Sequence, residues 1–258
     1  VSPTFARACA FALALSLQTD GIFDPTLDPL INLWGFGHKP KTVIVPTEEQ
    51  IREVLPIIGF RHLSILPDNT IRKDIPELQL NLNALVPGLA ADEVAGVIKA
   101  AGITNLFVEI GGEVMAFGHN AKGDTWKIGI ERPDPSTLPG EALEAVVQLS
   151  DKAIATSGDY RSYFTDADGQ IYSHILNPKT GRPVKHRLAS VSVVAGTCMA
   201  ADALATALFA MGPDQGPECI EHYPHAEALF IIRNEDGRFS KVLSPGFSES
   251  TGYKPVAY

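Results

Sequence analysis

The 258-residue chain is 45% apolar and 20% charged, the composition of an ordinary folded protein, which excludes an intrinsically disordered one. Its 21 Lys and Arg against 30 Asp and Glu leave a net charge of −9. With no basic block, that balance argues against nucleic acid or an anionic membrane surface as the main partner. Cys9, Cys198 and Cys219 show no metal-ligand spacing, and no apolar run is long enough to span a bilayer.

Residues 2–17 carry helical periodicity, with Ser2 and Pro3 as cap and first residue; the apolar run 8–17 reads as an internal helix rather than a signal-peptide core. The stretch from Asp20 to Pro40, with two Asp-Pro pairs and closing glycines, reads as an irregular loop. Its Trp34 and Phe36 either plug a core edge or wall a pocket for a planar ring. Thr47 to Ile58 is predicted as a capped helix, Leu63 to Leu66 with Ile71 as a hairpin, and Leu78 to Leu82 as a strand. A helix is predicted to open near Pro87 and run to Ala101, with Asp92 on its first turns; such a helix start is a ready anion site.

Strands follow at Asn105–Glu109 and Trp126–Ile130, then a proline-rich connection from Pro133 to Pro139 and strands at Val146–Asp151 and Ala153–Ser157. Gly111-Gly112 marks a bulge or a close backbone approach, and the absence of GxGxxG leaves no Rossmann fingerprint. The segment from Tyr172 to Val184 is dense in turn residues, with His174 at its head as an acid/base candidate or a structural hydrogen-bonder. Leu188–Val194 is predicted as a strand, and Ala226–Arg233 with Phe239–Leu243 as a closing hairpin. Strands mixed with a few long helices predict a single α+β domain with mixed or antiparallel sheets and packed helices.

Thr197 to Gly212, TCMAADALATALFAMG, is predicted as a buried helix capped by Thr197 and stopped by Gly212-Pro213. Asp202 and Thr206 interrupt its apolar character at i and i+4, on one side of the helix. A buried carboxylate needs a counter-charge: either a basic side chain or a hard cation such as Mg²⁺, with the Thr206 hydroxyl as a second oxygen ligand.

Four stretches in order, DGIFDPTLDPLINLWGFG, LNLNALVPGLAAD, IATSGDYRSYF with SHILNPKTGRPV, and TCMAADALATALFAMG, with VEIGGEV between the second and third, resemble the FAD:protein FMN transferase (ApbE) family. The resemblance covers essentially the whole chain. It implies Mg²⁺-dependent cleavage of FAD, transfer of FMN to a threonine or serine of a target flavoprotein, and release of AMP. It implies Mg²⁺ on Asp202, Thr206 and the Ala84 carbonyl, with Asp202 and His174 catalytic. It places Asn32, Trp34, Phe36, Asp92, Glu109, Gly111, Gly112, Ser157, Gly158 and Asp159, together with His174, around FAD. It further implies a periplasmic location, a target flavoprotein in a membrane redox complex, and an N-terminally truncated or processed chain. The turn NLNALVPG departs from the family's common DLGGIAKG: Asn81 stands for an Asp and Pro87 for a Lys or Glu. The alternatives are an FAD pyrophosphatase acting at the same site and a non-catalytic FAD-binding assembly factor.

Overall fold

The computed structural model describes residues 1–37, 45–138, 140–166 and 168–256. The ends of two sequence expectations, 38–40 of the first loop and Pro139 of the proline-rich connection, lie outside them. In chain order the elements are α1 (Pro3–Gln18), α2 (Asp28–Leu33), α3 (Glu48–Val54), β1 (Leu63–Ile65), β2 (Ile71–Lys73), α4 (Val86–Ala100), β3 (Leu106–Ile110) and β4 (Glu113–Phe117). Next come β5 (Trp126–Glu131), β6 (Leu143–Leu149), β7 (Lys152–Gly158), β8 (Tyr163–Thr165), β9 (Ile171–Ser173), β10 (Leu176–Asn177) and β11 (Arg182–Pro183). The chain closes with β12 (Leu188–Ala195), α5 (Cys198–Ile220), β13 (Ala226–Arg233), β14 (Phe239–Leu243), α6 (Phe247–Thr251) and β15 (Lys254–Pro255). The described sheets are antiparallel, and the architecture is α+β as predicted.

The chain packs as two compact units, one from 1–84 with 162–185 and the other from 85–161 with 186–258. In the first, Leu27, Leu30, Trp34, Ile51, Ile58 and Leu176 form the core. Its α1 starts as the sequence dictates, with Ser2 Oγ accepting the Phe5 N–H and Pro3 where no donor is needed. Helix α2 corrects the loop reading of this region. Pro29 falls in the first turn, where its missing N–H does no harm, and Asp28 opens a helix rather than a turn. Helix α3 is shorter than the Thr47–Ile58 reading because Pro56 cannot donate to a preceding carbonyl; Leu55–Ile57 tightens into a 3₁₀ turn. The predicted Thr47 cap is present as a capping box with Gln50. The predicted strand at Leu78–Leu82 is absent. Its buried residues are Leu78 and Leu82, the Leu78 N–H turns back to Ile75, and the Asn81 N–H goes to the Pro25 carbonyl instead of a ladder. The short hairpins β8–β9 and β10–β11 were not anticipated as strands.

In the second unit a six-stranded sheet runs β14-β13-β12-β7-β4-β3. All eight residues of β12 are buried, which explains its unbroken apolar and small-residue sequence. Residues of this sheet share a core with β6 and α6: Val114, Ile154, Val194, Leu229 and Ile231 pack with Val147, Leu149 and Phe247. Strand β6 begins at Leu143, earlier than read. Asp151, with φ 57°, belongs to the turn that follows it, where the chain passes from one sheet to the other. Gly111 and Gly112 (φ 71° and 108°) are the two-residue turn of the β3–β4 hairpin, a geometry that excludes ordinary side chains. α6 and β15 had no clear sequence signature.

Helix α5 breaks at Gly212 (φ 81°), as its Gly-Pro pair predicts, and a further helical segment then runs to Ile220. Pro213 carries no N–H, so the Phe209 carbonyl four residues back loses its helical donor. His186 replaces it: its Nε2–H donates to Phe209 O at 2.8 Å, and the ring meets Phe209 edge-on at 5.0 Å. Burial lowers the His186 pKa, so the neutral ring is favoured. His186→Ala is therefore expected to destabilise the protein by about 1–3 kcal/mol, the cost of an orphaned buried carbonyl. Urea unfolding of the two proteins measures it.

Candidate functional site

In the second unit, α4 and α5 meet through a glycine and a carboxylate. Asp202 is only 6% exposed, and its Oδ2 accepts the Gly88 N–H at 3.0 Å. The anion site expected at the start of α4 is thus filled from inside the protein by Asp202. Pro87 offers no N–H there, which leaves the Gly88 amide to do this work. Burial, reinforced by Glu113, pushes the Asp202 carboxyl up to about 7. Among the described residues no Lys or Arg pairs with it.

Thr206 lies one turn on, and its hydroxyl is 3.1 Å from Ser157 Oγ at the end of β7. This pairing brings three predicted residues, Ser157, Asp202 and Thr206, to one side of α5. Glu113 adds to the acidity. Its Oε2 is buried without a hydrogen-bond partner, and burial raises its pKa. The sequence reading missed Glu113, although it stands directly after the Gly111-Gly112 turn that was singled out. Burial, then Asp92, Asp202 and Glu113, hold the neighbouring Cys198 thiol protonated, so it is no nucleophile. Among the described residues no three His, Cys, Asp or Glu side chains are arranged to hold a metal ion. A cation at Asp202 would rely on neutral oxygens and on the oxygens of a bound phosphate. That donor set suits Mg²⁺, which keeps few protein carboxylates. The under-neutralised, buried Asp202 fits such a cation.

The other predicted residues of this unit have more structural duties. Asp92 accepts the Cys198 and Met199 N–H groups at 2.8 and 2.9 Å, capping α5 together with Thr197. Asp159 is engaged by Arg233 through two hydrogen bonds of 3.1 and 3.2 Å. Gly158 is required for packing, since a Cβ there would lie 2.6 Å from the Tyr160 ring. Glu109, Gly111 and Gly112 are exposed.

The first unit holds Asn32, Trp34, Phe36, Ala84 and His174. Trp34 is 1% exposed and its indole N–H donates to Gly181 O, so it serves the core. Phe36, half-buried, packs 5.4 Å from Phe164 and edge-on to His174 at 6.3 Å. His174 Nδ1 lies 3.0 Å from the Ser162 carbonyl, which can only accept. The proton therefore sits on Nδ1 and Nε2 keeps its lone pair. Burial lowers the His174 pKa, favouring this neutral base. Asn32 donates to both the carboxylate and the carbonyl of Asp28, which orients its amide and leaves Oδ1 buried and unmet, an acceptor with no partner.

The ApbE family model matches residues 1–230. The chain belongs to the ApbE family. An FAD:protein FMN transferase of Vibrio cholerae is 42% identical over 236 residues, 92% of this chain and 69% of that protein. One from Escherichia coli K12 is 36% identical over 250 residues, 96% of this chain and 70% of that protein. The solved structure of the flavin transferase ApbE from Vibrio cholerae superposes with a TM-score of 0.86 at 40% identity, covering 96% of this chain and 77% of that one. These ApbE relatives agree with the α+β reading and with the resemblance drawn from the four sequence stretches.

Proposed function

We propose that this ApbE-family chain is an enzyme that transfers FMN from FAD to a threonine or serine hydroxyl of a target flavoprotein, releasing AMP, and that both units belong to one flavin transferase domain. The observation that carries this reading is Asp202: a buried carboxylate, one helical turn from a hydroxyl, with no cation pairing among the described residues. In this reading Asp202 and Thr206 hold Mg²⁺. When bound, Mg²⁺ supplies the positive charge that offsets the pyrophosphate and the departing AMP.

The acceptor hydroxyl oxygen attacks the FMN phosphorus, the bond from that phosphorus to the AMP phosphate oxygen breaks, and the hydroxyl proton passes to His174 Nε2. Gly88 keeps Asp202 oriented through its N–H. The unmet Asn32 Oδ1 suits an N–H of the flavin, and the half-buried Phe36 ring suits its apolar face. The family resemblance supports a periplasmic setting and a target in a membrane redox complex.

The test is AMP release from FAD with Mg²⁺ and with chelator, alongside a threonine-bearing flavoprotein peptide followed by mass. Mg²⁺-dependent AMP with a peptide gaining FMN is the expected result. AMP with an unmodified peptide would make the chain a pyrophosphatase, and FAD bound but uncleaved would make it a binding protein.

A further inference from the structure

From Ala201 to Ala210 every residue of α5 is buried except Thr206. Strand β7 packs against the helix there. The alternation of a strand puts Ala153, Ala155 and Ser157 on one face of β7, and the two alanines are buried. Thr156 points the other way, with its hydroxyl 2.7 Å from Ser192 Oγ on β12. Ser157 is thus the polar member of the face that meets α5. A threonine inside a helix ordinarily turns its hydroxyl back to the carbonyl four residues earlier, which here is that of Asp202. Among the described residues the partner of the Thr206 hydroxyl is instead the Ser157 hydroxyl, at 3.1 Å.

Two facing hydroxyls share one hydrogen bond and keep one proton free, so the pair has two arrangements. If Ser157 donates, a lone pair of Thr206 is occupied and the Thr206 proton points outward, where it opposes an approaching cation. If Thr206 donates, its oxygen faces outward with free lone pairs and the Ser157 proton is released. A cation on Thr206 selects the second arrangement. The oxygen it meets is also made more electron-rich by the bond that Thr206 donates. The released Ser157 proton is then a donor beside the cation, and the acceptor that suits it is an anionic oxygen bound to the same cation.

We propose that Ser157 is a positioning residue that couples two binding events: a cation at Thr206 sets the sense of the hydroxyl pair, and the Ser157 O–H so released holds an anionic phosphate oxygen. This inference rests on the reading that Asp202 and Thr206 hold Mg²⁺. It assigns Ser157 a duty that proximity to a ligand alone would not give it. Phosphate binding depends on the cation through Ser157, and by linkage cation binding depends on the phosphate by the same factor.

The experiment uses Mg²⁺ and AMP as probes, because AMP carries a single phosphate. Calorimetry measures AMP binding with chelator and with saturating Mg²⁺, and Mg²⁺ binding with and without saturating AMP. The proteins are wild type, Ser157→Ala and Ser157→Thr, and each is also melted without ligand. In wild type, Mg²⁺ is expected to tighten AMP binding, and AMP to tighten Mg²⁺ binding equally. In Ser157→Ala that factor should fall about tenfold, the loss of one hydrogen bond to a charged group, and Ser157→Thr should keep it within about threefold. A Ser157→Ala protein that melts lower but keeps the full factor would make the pair a structural tie and overturn the inference. So would a Ser157→Thr protein no better than Ser157→Ala, or a wild type that binds both probes independently. If wild type bound no Mg²⁺, the cation reading of Asp202 and Thr206 would fall and this inference with it. If wild type bound both cooperatively and Ser157→Ala did so equally, only the inference would fall.

Discussion

Asp202→Asn is expected to lower Mg²⁺-dependent AMP release from FAD by about 10³-fold, and at the same time to stabilise the metal-free protein above pH 7. The two effects have opposite signs because they come from the same charge. Asn keeps an acceptor for the Gly88 N–H and nearly the same volume, so the packing of α4 on α5 survives. What it removes is a negative charge that is buried, close to Glu113, and unpaired by any described cation. In the folded protein the Asp202 pKa is raised from 3.8 to about 7. A carboxyl with a raised folded pKa contributes stability that is fully present below its unfolded value and lost as pH rises through the folded one. In chelator, wild-type stability should therefore fall between about pH 4 and pH 7, by up to about 1.4 kcal/mol per pH unit. The asparagine variant should lack that component. Added Mg²⁺ should restore the wild type at high pH and leave the variant unmoved, since a cation binds the deprotonated carboxylate. Thermal melts from pH 5 to 8.5, with chelator and with Mg²⁺, read all of this. Wild-type melts that are flat with pH in chelator would mean that the charge is already neutralised, and the metal reading would lose its main support.

The parts of this protein legible in sequence are those where local chemistry decides the outcome. Ser2-Pro3 and Thr47 begin helices and Gly212-Pro213 breaks one because each residue type permits what its neighbours do not, whereas Gly111-Gly112, read as a bulge or a close backbone approach, turns a hairpin. Asp202 and Thr206 stood out because polar residues in an apolar helix are conspicuous. The misreadings share a cause: their outcome depends on partners distant in sequence. Leu78–Leu82 looks like a strand until the Asn81 N–H is seen to bond Pro25. Asp28-Pro29 looks like a turn, yet its carboxylate is met by an amide 53 residues away. Asp92, which the family resemblance places near FAD, also has a duty that no local pattern announces: its oxygens cap a second helix more than a hundred residues on. Glu113 went unnoticed because a lone Glu after a turn is ordinary; only its buried, unpartnered oxygen sets it apart.

Two glycines of α4 should respond to alanine in opposite directions, and the difference tests whether the contact at Asp202 is as close as the structure has it. Alanine is the better helix former by about 1 kcal/mol, so propensity alone favours both substitutions. At Gly96 a Cβ would meet nothing within 4 Å, and Gly96→Ala is expected to raise stability by about 0.5–1 kcal/mol. At Gly88 the same Cβ would lie 2.4 Å from the Cys198 carbonyl oxygen, 2.6 Å from its carbon and 2.9 Å from Asp202 Cβ. The first two are backbone atoms of a buried helix capped by Asp92 and Thr197, and they have no rotamer to retreat into. Helix α4 must then move away from α5, which stretches the Gly88–Asp202 hydrogen bond and leaves the carboxylate buried without its donor. Overpacking of this kind costs about 1–3 kcal/mol, and the lost hydrogen bond to a charged group adds about 1.5–3 kcal/mol. Gly88→Ala is thus expected to lower stability by about 3–5 kcal/mol and, in whatever fraction stays folded, to weaken Mg²⁺ binding as strongly as a direct change at Asp202. Urea unfolding of both variants, with Mg²⁺ titration of the folded material, decides it. Equal and small effects at Gly88 and Gly96 would mean that α4 and α5 do not meet at this point. The Gly88 amide would then have no part in orienting Asp202.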